Sequence, residues 1–270
     1  MAADDAHLAQ LITDVVRRAV TEADTVTRYR QPLVAFADAD DARFARIRQL
    51  ADPDHMMPQD LLPGARSVVS FFVPFRPEVV RANAVHSKVV AEEWVQAYVE
   101  TNDLIGEITR CLIALLKKQG VDAAAEPATG NFDERTLTSR WSHKSAAVIS
   151  GLGSFGLHQM VITDAGCAGR LGSLVTEVRL PVSPAETRER CLYFYDGSCR
   201  QCVTRCPLEA ISTEQALDRR VCWERCSEVA LRFTHLGTAE VCGKCAAGPC
   251  AFESPVTTLE LRDQTPASRE

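Results

Sequence analysis

The sequence lacks the features that mark membrane, secreted and nucleic-acid-binding proteins. No apolar run approaches the ~18 residues that span a bilayer. The first ten residues, MAADDAHLAQ, are acidic and have neither the basic nor the apolar region of a secretory signal. There is no long run of lysine and arginine, and the formal net charge is −6. We therefore expect a soluble, cytoplasmic protein without membrane association, and the charge argues against nucleic acid as a partner.

The chain also has no internal repeat and no low-complexity tract. Of its 270 residues, 46% are hydrophobic and 24% are charged, which is ordinary for a globular protein. Enough apolar side chain is present to build a core without help from metal or disulfide. This length fits one large domain or two modest ones.

Hydrophobic periodicity predicts a mixed α/β domain over residues 1–185. Apolar residues at helical spacing predict a helix over 8–20 and one or two helices over 84–119. A β-rich run over 67–75 predicts a buried strand, and further strands are expected within 121–128, 159–163 and 173–180. Pro181 and Pro184 mark the expected domain boundary. We expect a cysteine-rich domain over 186–256 and a loosely held polar tail over 257–270.

Cysteine is abundant and unevenly placed. Of eleven cysteines, Cys111 and Cys167 stand alone, and the other nine lie between Cys191 and Cys250. A chain expected in a reducing compartment uses such thiols as metal ligands more often than as disulfides. The cysteine-rich segment is therefore expected to bind metal.

The cysteine spacing predicts two 4Fe–4S clusters. Residues 199–207 read C-x2-C-x3-C-P, the back half of the bacterial ferredoxin run, in which the last cysteine serves the other cluster. Pro207 suits the first turn of a helix, expected over 208–212. A second group, residues 242–250, contributes three more cysteines. One cluster is assigned Cys191, Cys199, Cys202 and Cys250, and the other Cys206, Cys222, Cys242 and Cys245.

Two alternatives stay open for these thiols. Cys226 is another candidate for the fourth ligand of either cluster, because Asp196 stands where the standard run has a cysteine. A structural zinc site built from the pairs Cys199/Cys202 and Cys242/Cys245 would explain only part of the cysteines.

Three further segments resemble the epoxyqueuosine reductases, and more distantly the iron–sulfur part of reductive dehalogenases. They are LPGARSVVSFFVPF (62–75), AAVISGLGSFGLHQMVIT (146–163) and GRLGSLVTEVRL (169–180), which lead directly into the cysteines. The patterns around His143, Cys167 and Cys191 also resemble short, uncharacterised relatives of these enzymes. The resemblance implies a cobalamin-binding, nitroreductase-like α/β domain followed by a ferredoxin-like domain whose clusters pass single electrons to the corrinoid.

The match to the epoxyqueuosine reductases departs at two positions. Their acidic residue, thought to donate a proton, corresponds to Leu137 here, and their G-K-N reads Gly156-Leu157-His158. These departures argue against a tRNA substrate.

Residues 151–156 also match the dinucleotide fingerprint G-x-G-x-x-G. The segment that follows has the pattern of a strand and turn, where a nicotinamide-binding fold needs a helix. We therefore expect Gly151, Gly153 and Gly156 to line a cofactor or cluster, with Arg170 as an anion contact. His143 and His158 flank the turn and are candidate proton donors, against the alternative that each satisfies a local hydrogen bond.

These features predict an iron–sulfur oxidoreductase that takes electrons from a low-potential donor protein. The electrons would pass through two 4Fe–4S clusters to an unknown substrate, or to cobalamin or flavin, in the N-terminal domain. The alternative is an electron-transfer adaptor that binds a partner protein and has no catalytic pocket.

Overall fold

The computed structural model describes residues 2–264. Two short 3-10 helices, Thr234–Leu236 and Lys244–Ala246, lie in its C-terminal part. Its α-helices are α1 (Ala2–Thr21), α2 (Ala42–Leu50), α3 (Pro58–Leu61), α4 (Pro77–Ala84), α5 (Glu92–Lys118), α6 (His143–Ile149), α7 (Leu192–Asp196), α8 (Gln201–Arg205), α9 (Arg219–Arg232) and α10 (Pro255–Gln264). Its strands are β1 (Leu33–Asp38), β2 (Ser67–Pro74), β3 (Ala123–Ala124), β4 (Phe132–Asp133), β5 (Thr138–Ser139), β6 (Gly153–Phe155), β7 (Val161–Thr163) and β8 (Gly169–Thr176).

A four-stranded antiparallel sheet forms the centre of the mixed α/β fold, in the order β1-β2-β8-β3. All eight residues of β2 are buried, so this strand is covered on both faces. Its nearly continuous apolar run, SVVSFFVP, is typical of such a strand. The predicted strand over 67–75 is confirmed.

Helices cover both faces of this sheet. On one face lies the long helix α5, against which α1 packs through the fully buried Ile12 and Val16. On the other face lies α6, which contacts β2 and β8 and also the short helix α2. Ser142 caps α6 by accepting a hydrogen bond from the Ser145 amide. The helix predicted over 8–20 and those predicted over 84–119 are confirmed.

The helix predicted over 208–212 is wrong. The Ala210 amide donates to the Cys206 sulfur at 3.2 Å, where a helix would use the Cys206 carbonyl oxygen. Glu209 has a φ of 56°, in the left-handed region that breaks a right-handed helix. The Cys206 sulfur therefore accepts the hydrogen bond that the Ala210 amide would otherwise donate in the first turn of the helix.

Three other expectations differ in extent. The strand expected within 121–128 is only Ala123–Ala124, and β8 ends at Thr176. The segment expected as a loose tail contains helix α10, which begins beside the buried Ser254 and Val256. Residues 265–270 of that tail lie outside the described residues.

Residues 186–256, here called the cysteine module, consist of short helices joined by loops. Helix α8 packs against the 3-10 helix Lys244–Ala246, which brings the two cysteine groups of the sequence together. Across residues 2–264, none of the helices combines the length and the apolar character that crossing a bilayer requires.

Candidate metal centre

The first thiol group consists of Cys191, Cys199, Cys202 and Cys250. Cys191 precedes α7, and Cys202 lies within α8. Burial, together with the nearby Cys250, Cys191 and Cys199 thiols, raises the pKa of Cys202 to about 12. The fold thus brings together the four cysteines that the sequence assigns to one cluster.

The second thiol group lines a cavity of about 220 Å³. Six cysteines contribute to its wall: the five of this group, Cys206, Cys222, Cys226, Cys242 and Cys245, and the separate Cys167. Burial, followed by the nearby Cys222 and Cys242, raises the pKa of Cys245. A hydrogen bond from Cys226 lowers the pKa of Cys222 to about 7, so Cys222 is the readier of the two to become a thiolate. The structure places one more thiol here than a four-ligand cluster needs.

The chemistry of this cavity fits an iron–sulfur cluster. Thiolates are soft ligands that select iron–sulfur clusters or zinc over magnesium and calcium. The Trp94 Nε1 lines the same cavity, is buried, and has no hydrogen-bond acceptor among the described residues. A buried donor without a partner is costly, and the sulfur atoms of a cluster would supply an acceptor.

Buried contacts anchor the second thiol group to the N-terminal domain. The buried Lys244 Nζ donates to the carbonyl oxygens of Asn83 at 2.6 Å and Val89 at 2.5 Å. The Asn83 side-chain amide donates to the Cys242 carbonyl oxygen at 3.0 Å. Gly243 has a φ of 66°, and a Cβ on it would come within 2.1 Å of the Trp94 ring. The loop that carries Cys242 and Cys245 is therefore fixed against α4 and α5.

Hydrogen bonds from the backbone anchor the first thiol group in the same way. The Cys167 amide donates to the Cys250 carbonyl oxygen at 2.8 Å, and the Ala168 amide donates to that of Ala251 at 3.1 Å. This pairing places the buried Cys167 Sγ 3.7 Å from the Cys250 Sγ. The residues just before β8 are thus bonded directly to the cysteine module.

His158 is buried beside the same two thiols. Its Nδ1 accepts a hydrogen bond from the Met160 amide at 3.1 Å. Its Nε2 lies 3.3 Å from the Cys250 Sγ and 3.6 Å from the Cys167 Sγ. The sequence offered His158 as a proton donor, and the structure places it against a candidate cluster ligand.

His143 lies at the start of α6 and has partners on both ring nitrogens. Its Nδ1 is 2.7 Å from the Ser173 hydroxyl, and its Nε2 is 3.1 Å from the Pro127 carbonyl oxygen. Burial, and after it the positive charge of Arg170, lowers the pKa of His143 to about 4. The imidazole is therefore neutral near pH 7, and its contacts hold it within the protein interior.

Arg170 and the three glycines lie in different surroundings. Arg170 lines the thiol cavity, stacks 4.3 Å over the Tyr98 ring, and donates to Asn102 at 2.9 Å. Cβ atoms on Gly151 and Gly153 would instead meet the backbone oxygens of Pro184 and Ile162 at 2.2 and 2.1 Å. Those two glycines permit close packing of protein on protein. No helix follows Gly156, because the chain turns there into the β6–β7 hairpin.

Two further cavities adjoin the thiol cavity. One of about 570 Å³ shares Leu217, Cys222 and Cys226 with it. Another, of about 210 Å³, shares Cys167 and Arg170 with the thiol cavity and Lys144 with the larger cavity. The three cavities therefore neighbour one another, and residues of both the cysteine module and the α/β domain line the first two.

Lys144 lines both of these further cavities. Its side chain is accessible to solvent but faces the cavity, where desolvation and then the charge of Arg219 lower its pKa. Leu137, at the position of the family's acidic residue, lines the same 570 Å³ cavity. So does His55, which is buried and accepts a hydrogen bond from the Ser142 amide at 3.0 Å. No spacing in the sequence singles out His55, because it lies 87 residues from Ser142.

Comparison with known proteins agrees with the predicted resemblance. No protein-family model matches the chain. It is 28% identical to the epoxyqueuosine reductase of Pseudomonas aeruginosa over 166 residues, and 28% identical to that of Vibrio cholerae over 167 residues. Each match covers 61% of this chain, and 43% and 42% of the relatives. The chain thus matches less than half the length of these two enzymes.

Solved structures show the same fold at low identity. The epoxyqueuosine reductase of Bacillus subtilis is 18% identical with a TM-score of 0.55, over 90% of this chain and 66% of that one. A reductive dehalogenase whose structure is described in terms of B12-dependent dehalogenation is 16% identical with a TM-score of 0.52, over 79% of this chain and 27% of that one. The resemblance to epoxyqueuosine reductases, predicted from three short segments, is confirmed.

A third structure bears on nucleic acid. An epoxyqueuosine reductase solved with an epoxyqueuosine-modified tRNA stem loop is 19% identical with a TM-score of 0.53, over 82% of this chain and 58% of that one. A protein of similar fold therefore binds RNA. The argument from net charge against nucleic acid as a partner is not supported.

Proposed function

We propose that this chain is an iron–sulfur oxidoreductase that carries two 4Fe–4S clusters in residues 186–256. The observation that carries the proposal is the arrangement of nine cysteines into two neighbouring groups, one of them around a cavity with an unpaired Trp94 donor. The similarity to epoxyqueuosine reductases supports the redox class. The first cluster takes Cys191, Cys199, Cys202 and Cys250, and the second takes Cys206, Cys222, Cys242 and Cys245.

Electrons enter at the first cluster and leave from the second. Several residues around Cys191 and Cys199, including Phe194 and Tyr195, are exposed, so a low-potential donor protein has access there. Cys245 of the second group lies close enough to Cys202 of the first for the charge of Cys202 to help raise the pKa of Cys245. The second group in turn shares Cys222 and Cys226 with the 570 Å³ cavity. The clusters thus connect the exposed edge of the module with the 570 Å³ cavity.

The 570 Å³ cavity is the proposed substrate or cofactor site. Its volume lies within the usual range for small-molecule sites, roughly 300–1,000 Å³. Lys144 and Arg219 give it positive charge, which favours an anionic group. Cobalamin or flavin bound there would supply the one-electron chemistry that a cluster requires. Leu137 cannot donate a proton, but Lys144, Asp52 and His55 line the same wall and carry groups that can exchange one.

The cavity favours an enzyme over the alternative of an electron-transfer adaptor. An adaptor needs cluster access from outside but has no use for a positively charged cavity of this size beside the second cluster. Recovery of a stoichiometric complex with a redox partner, with the cavity empty of cofactor and substrate, would support the adaptor.

Metal and cofactor analysis after anaerobic purification tests the proposal. We expect about eight irons and eight sulfides per chain, since each cube holds four of each. Cobalt or flavin absorption bands in the optical spectrum would identify a further cofactor. Zinc without acid-labile sulfide would refute the proposal and leave a structural metal site.

A matched pair of variants tests whether the iron is bound at the thiol cavity. Cys206→Ser removes a ligand of the second cluster and should reduce the iron content to about four per chain. Cys111→Ser removes an exposed thiol outside both groups and should leave the iron unchanged. Equal iron content in the two variants would place the metal elsewhere.

A further inference from the structure

The protonation of His158 follows from its contacts. The Met160 amide donates to Nδ1, so that nitrogen carries the lone pair. In a neutral imidazole the proton then lies on Nε2. Nε2 is the atom 3.3 Å from the Cys250 Sγ, and the ring is 3% exposed. The buried His158 therefore directs an N–H donor at Cys250.

Gly156 makes room for this ring. A Cβ at Gly156 would lie 2.8 Å from Cε1 of His158 and 2.9 Å from Cδ1 of Ile162. Contacts this short do not occur in well-packed proteins, and here one of the colliding groups is the imidazole itself. The last glycine of the 151–156 turn thus allows His158 to reach the thiol.

The position of Cys250 is fixed independently of His158. The backbone pairing of Cys167 and Ala168 with Cys250 and Ala251 holds the thiol in place. The Cys167 Sγ lies 3.7 Å from the Cys250 Sγ, also within reach of a weak S–H hydrogen bond. Two donors from the α/β domain therefore face one thiol of the cysteine module.

We propose that His158 donates an N–H···S hydrogen bond to Cys250 and thereby raises the reduction potential of the first cluster relative to its value without that hydrogen bond. The proposal rests on the proposed function, in which Cys250 is a cluster ligand. One electron from the donor protein adds negative charge to the cluster and its thiolates. A hydrogen bond to a ligand sulfur stabilises the more electron-rich, reduced state. No covalent bond forms or breaks, and the proton stays on Nε2. His158 acts through Cys250 and is a positioning residue.

Direct ligation is the competing explanation. The ligand atoms of His158, Cys167 and Cys250 all lie within 4.8 Å of one another, so a metal ion could bind all three. A ligand and a hydrogen-bond donor differ in what their removal does. Loss of a ligand releases iron, whereas loss of a donor leaves the iron in place and shifts the potential.

Four full-length proteins test the proposal: the wild type, His158→Leu, His158→Gln and Gly156→Ala. Each is purified anaerobically, its iron and sulfide are counted, and its clusters are titrated with dithionite under electron paramagnetic resonance. His158→Leu should keep the wild-type iron content and shift one of the two cluster potentials to a more negative value. The other cluster potential should not move. His158→Gln restores an N–H donor of similar reach and should return the potential towards that of the wild type.

Gly156→Ala provides a second route to the same result. The added methyl group displaces the ring while the histidine stays in the chain, so the same cluster should shift in the same direction as in His158→Leu. Fully loaded variants with unchanged potentials would overturn this proposal alone. Loss of about four irons from His158→Leu would also overturn it and identify His158 as a ligand. A wild-type protein without iron and sulfide would overturn the proposed function itself.

Discussion

At the scale of single residues, the second group has five thiols, and the proposed cluster needs four of them. Cys222 and Cys226 lie one turn apart on α9, and Cys226 donates a hydrogen bond to Cys222. The lowered pKa of Cys222, about 7, favours the thiolate that iron requires. We expect Cys222→Ser to lose about four irons per chain and Cys226→Ser to keep all eight.

Iron analysis and the optical spectrum of the two variants check this prediction. Because both substitutions exchange sulfur for oxygen on the same helix, each serves as the control for the other. The reverse result would assign Cys226 as the ligand. Two fully loaded variants would mean that either thiol can complete the cluster.

His143 should make the stability of the protein depend on pH. Its pKa is 6.5 in an unfolded chain and about 4 when buried here, so the folded state resists protonation. The stability contributed by the neutral ring is complete above pH 6.5 and is lost as the pH falls towards 4. When the pH falls from 7 to 5.5, this single group should lower the free energy of unfolding by about 1 kcal/mol. That change corresponds to a Tm decrease of roughly 2–4 °C.

His143→Gln is the control for this prediction, because glutamine keeps a donor and an acceptor but does not titrate in this range. The measurement is the Tm of both proteins under anaerobic conditions across the same pH range. We expect the Tm difference between them to change as the pH falls. Parallel curves would show that His143 does not bind a proton on unfolding.

At the scale of structural elements, the loop that carries Cys242 and Cys245 depends on Gly243. An alanine there would adopt an unfavourable positive φ and place its Cβ 2.1 Å from the Trp94 ring on α5. We expect Gly243→Ala to displace the loop, lower the Tm and release about four irons from the second cluster. Gly120→Ala is the matched control, because Gly120 has a φ of 74° but open space around it.

Gly120→Ala should lower the free energy of unfolding by only about 1 kcal/mol, the cost of a positive φ for alanine, and should retain all its iron. Thermal denaturation and iron counting separate the two effects. Equal losses in both variants would mean that the contact with Trp94 contributes nothing beyond the backbone conformation.

Patterns of apolar residues predicted the helices and strands that depend mainly on their own sequence. The run SVVSFFVP identified the central strand, and the apolar spacing of residues 8–20 and 84–119 identified α1 and α5. The helix over 208–212 failed because the Cys206 sulfur competes for the Ala210 amide. The spacing of apolar residues cannot show that a thiol will accept a hydrogen bond from a backbone amide.

In the candidate site, too, contacts within one segment could be predicted from the sequence, and contacts between distant segments could not. The spacing of Cys199, Cys202 and Cys206 is local and could be read from the sequence. The contact of His158 with Cys250 spans 92 residues and depends on how the module packs against the sheet. The sequence therefore identifies His158 as a candidate functional residue but does not identify Cys250 as its partner.

At the scale of the whole molecule, Lys244 joins the cysteine module to the α/β domain. Its buried Nζ bonds to two carbonyl oxygens of the α4–α5 region. Lys244→Met would leave both oxygens without this partner, at a cost of about 3 kcal/mol. We expect a lower Tm and faster proteolysis between residues 181 and 189, where the two parts are joined.

Lys118→Met is the control, because Lys118 is exposed at the end of α5. It removes the same charge and should change neither the Tm nor the rate of cleavage. Timed proteolysis and thermal denaturation measure both effects. Equal behaviour of the two variants would show that the charge of Lys244 does not hold the domains together.

The contact between Gly243 and Trp94 also bears on how the protein matures in the cell. Helix α5 leaves the ribosome well before the cysteine loop, and domains generally fold in that order during synthesis. Because metal binding and folding are coupled, binding of the proposed cluster would close this loop onto α5. A chain starved of iron would leave the indole of Trp94 uncovered, and chaperones and proteases recognise such apolar surface. Iron supply would then set the abundance of the protein as well as its redox capacity.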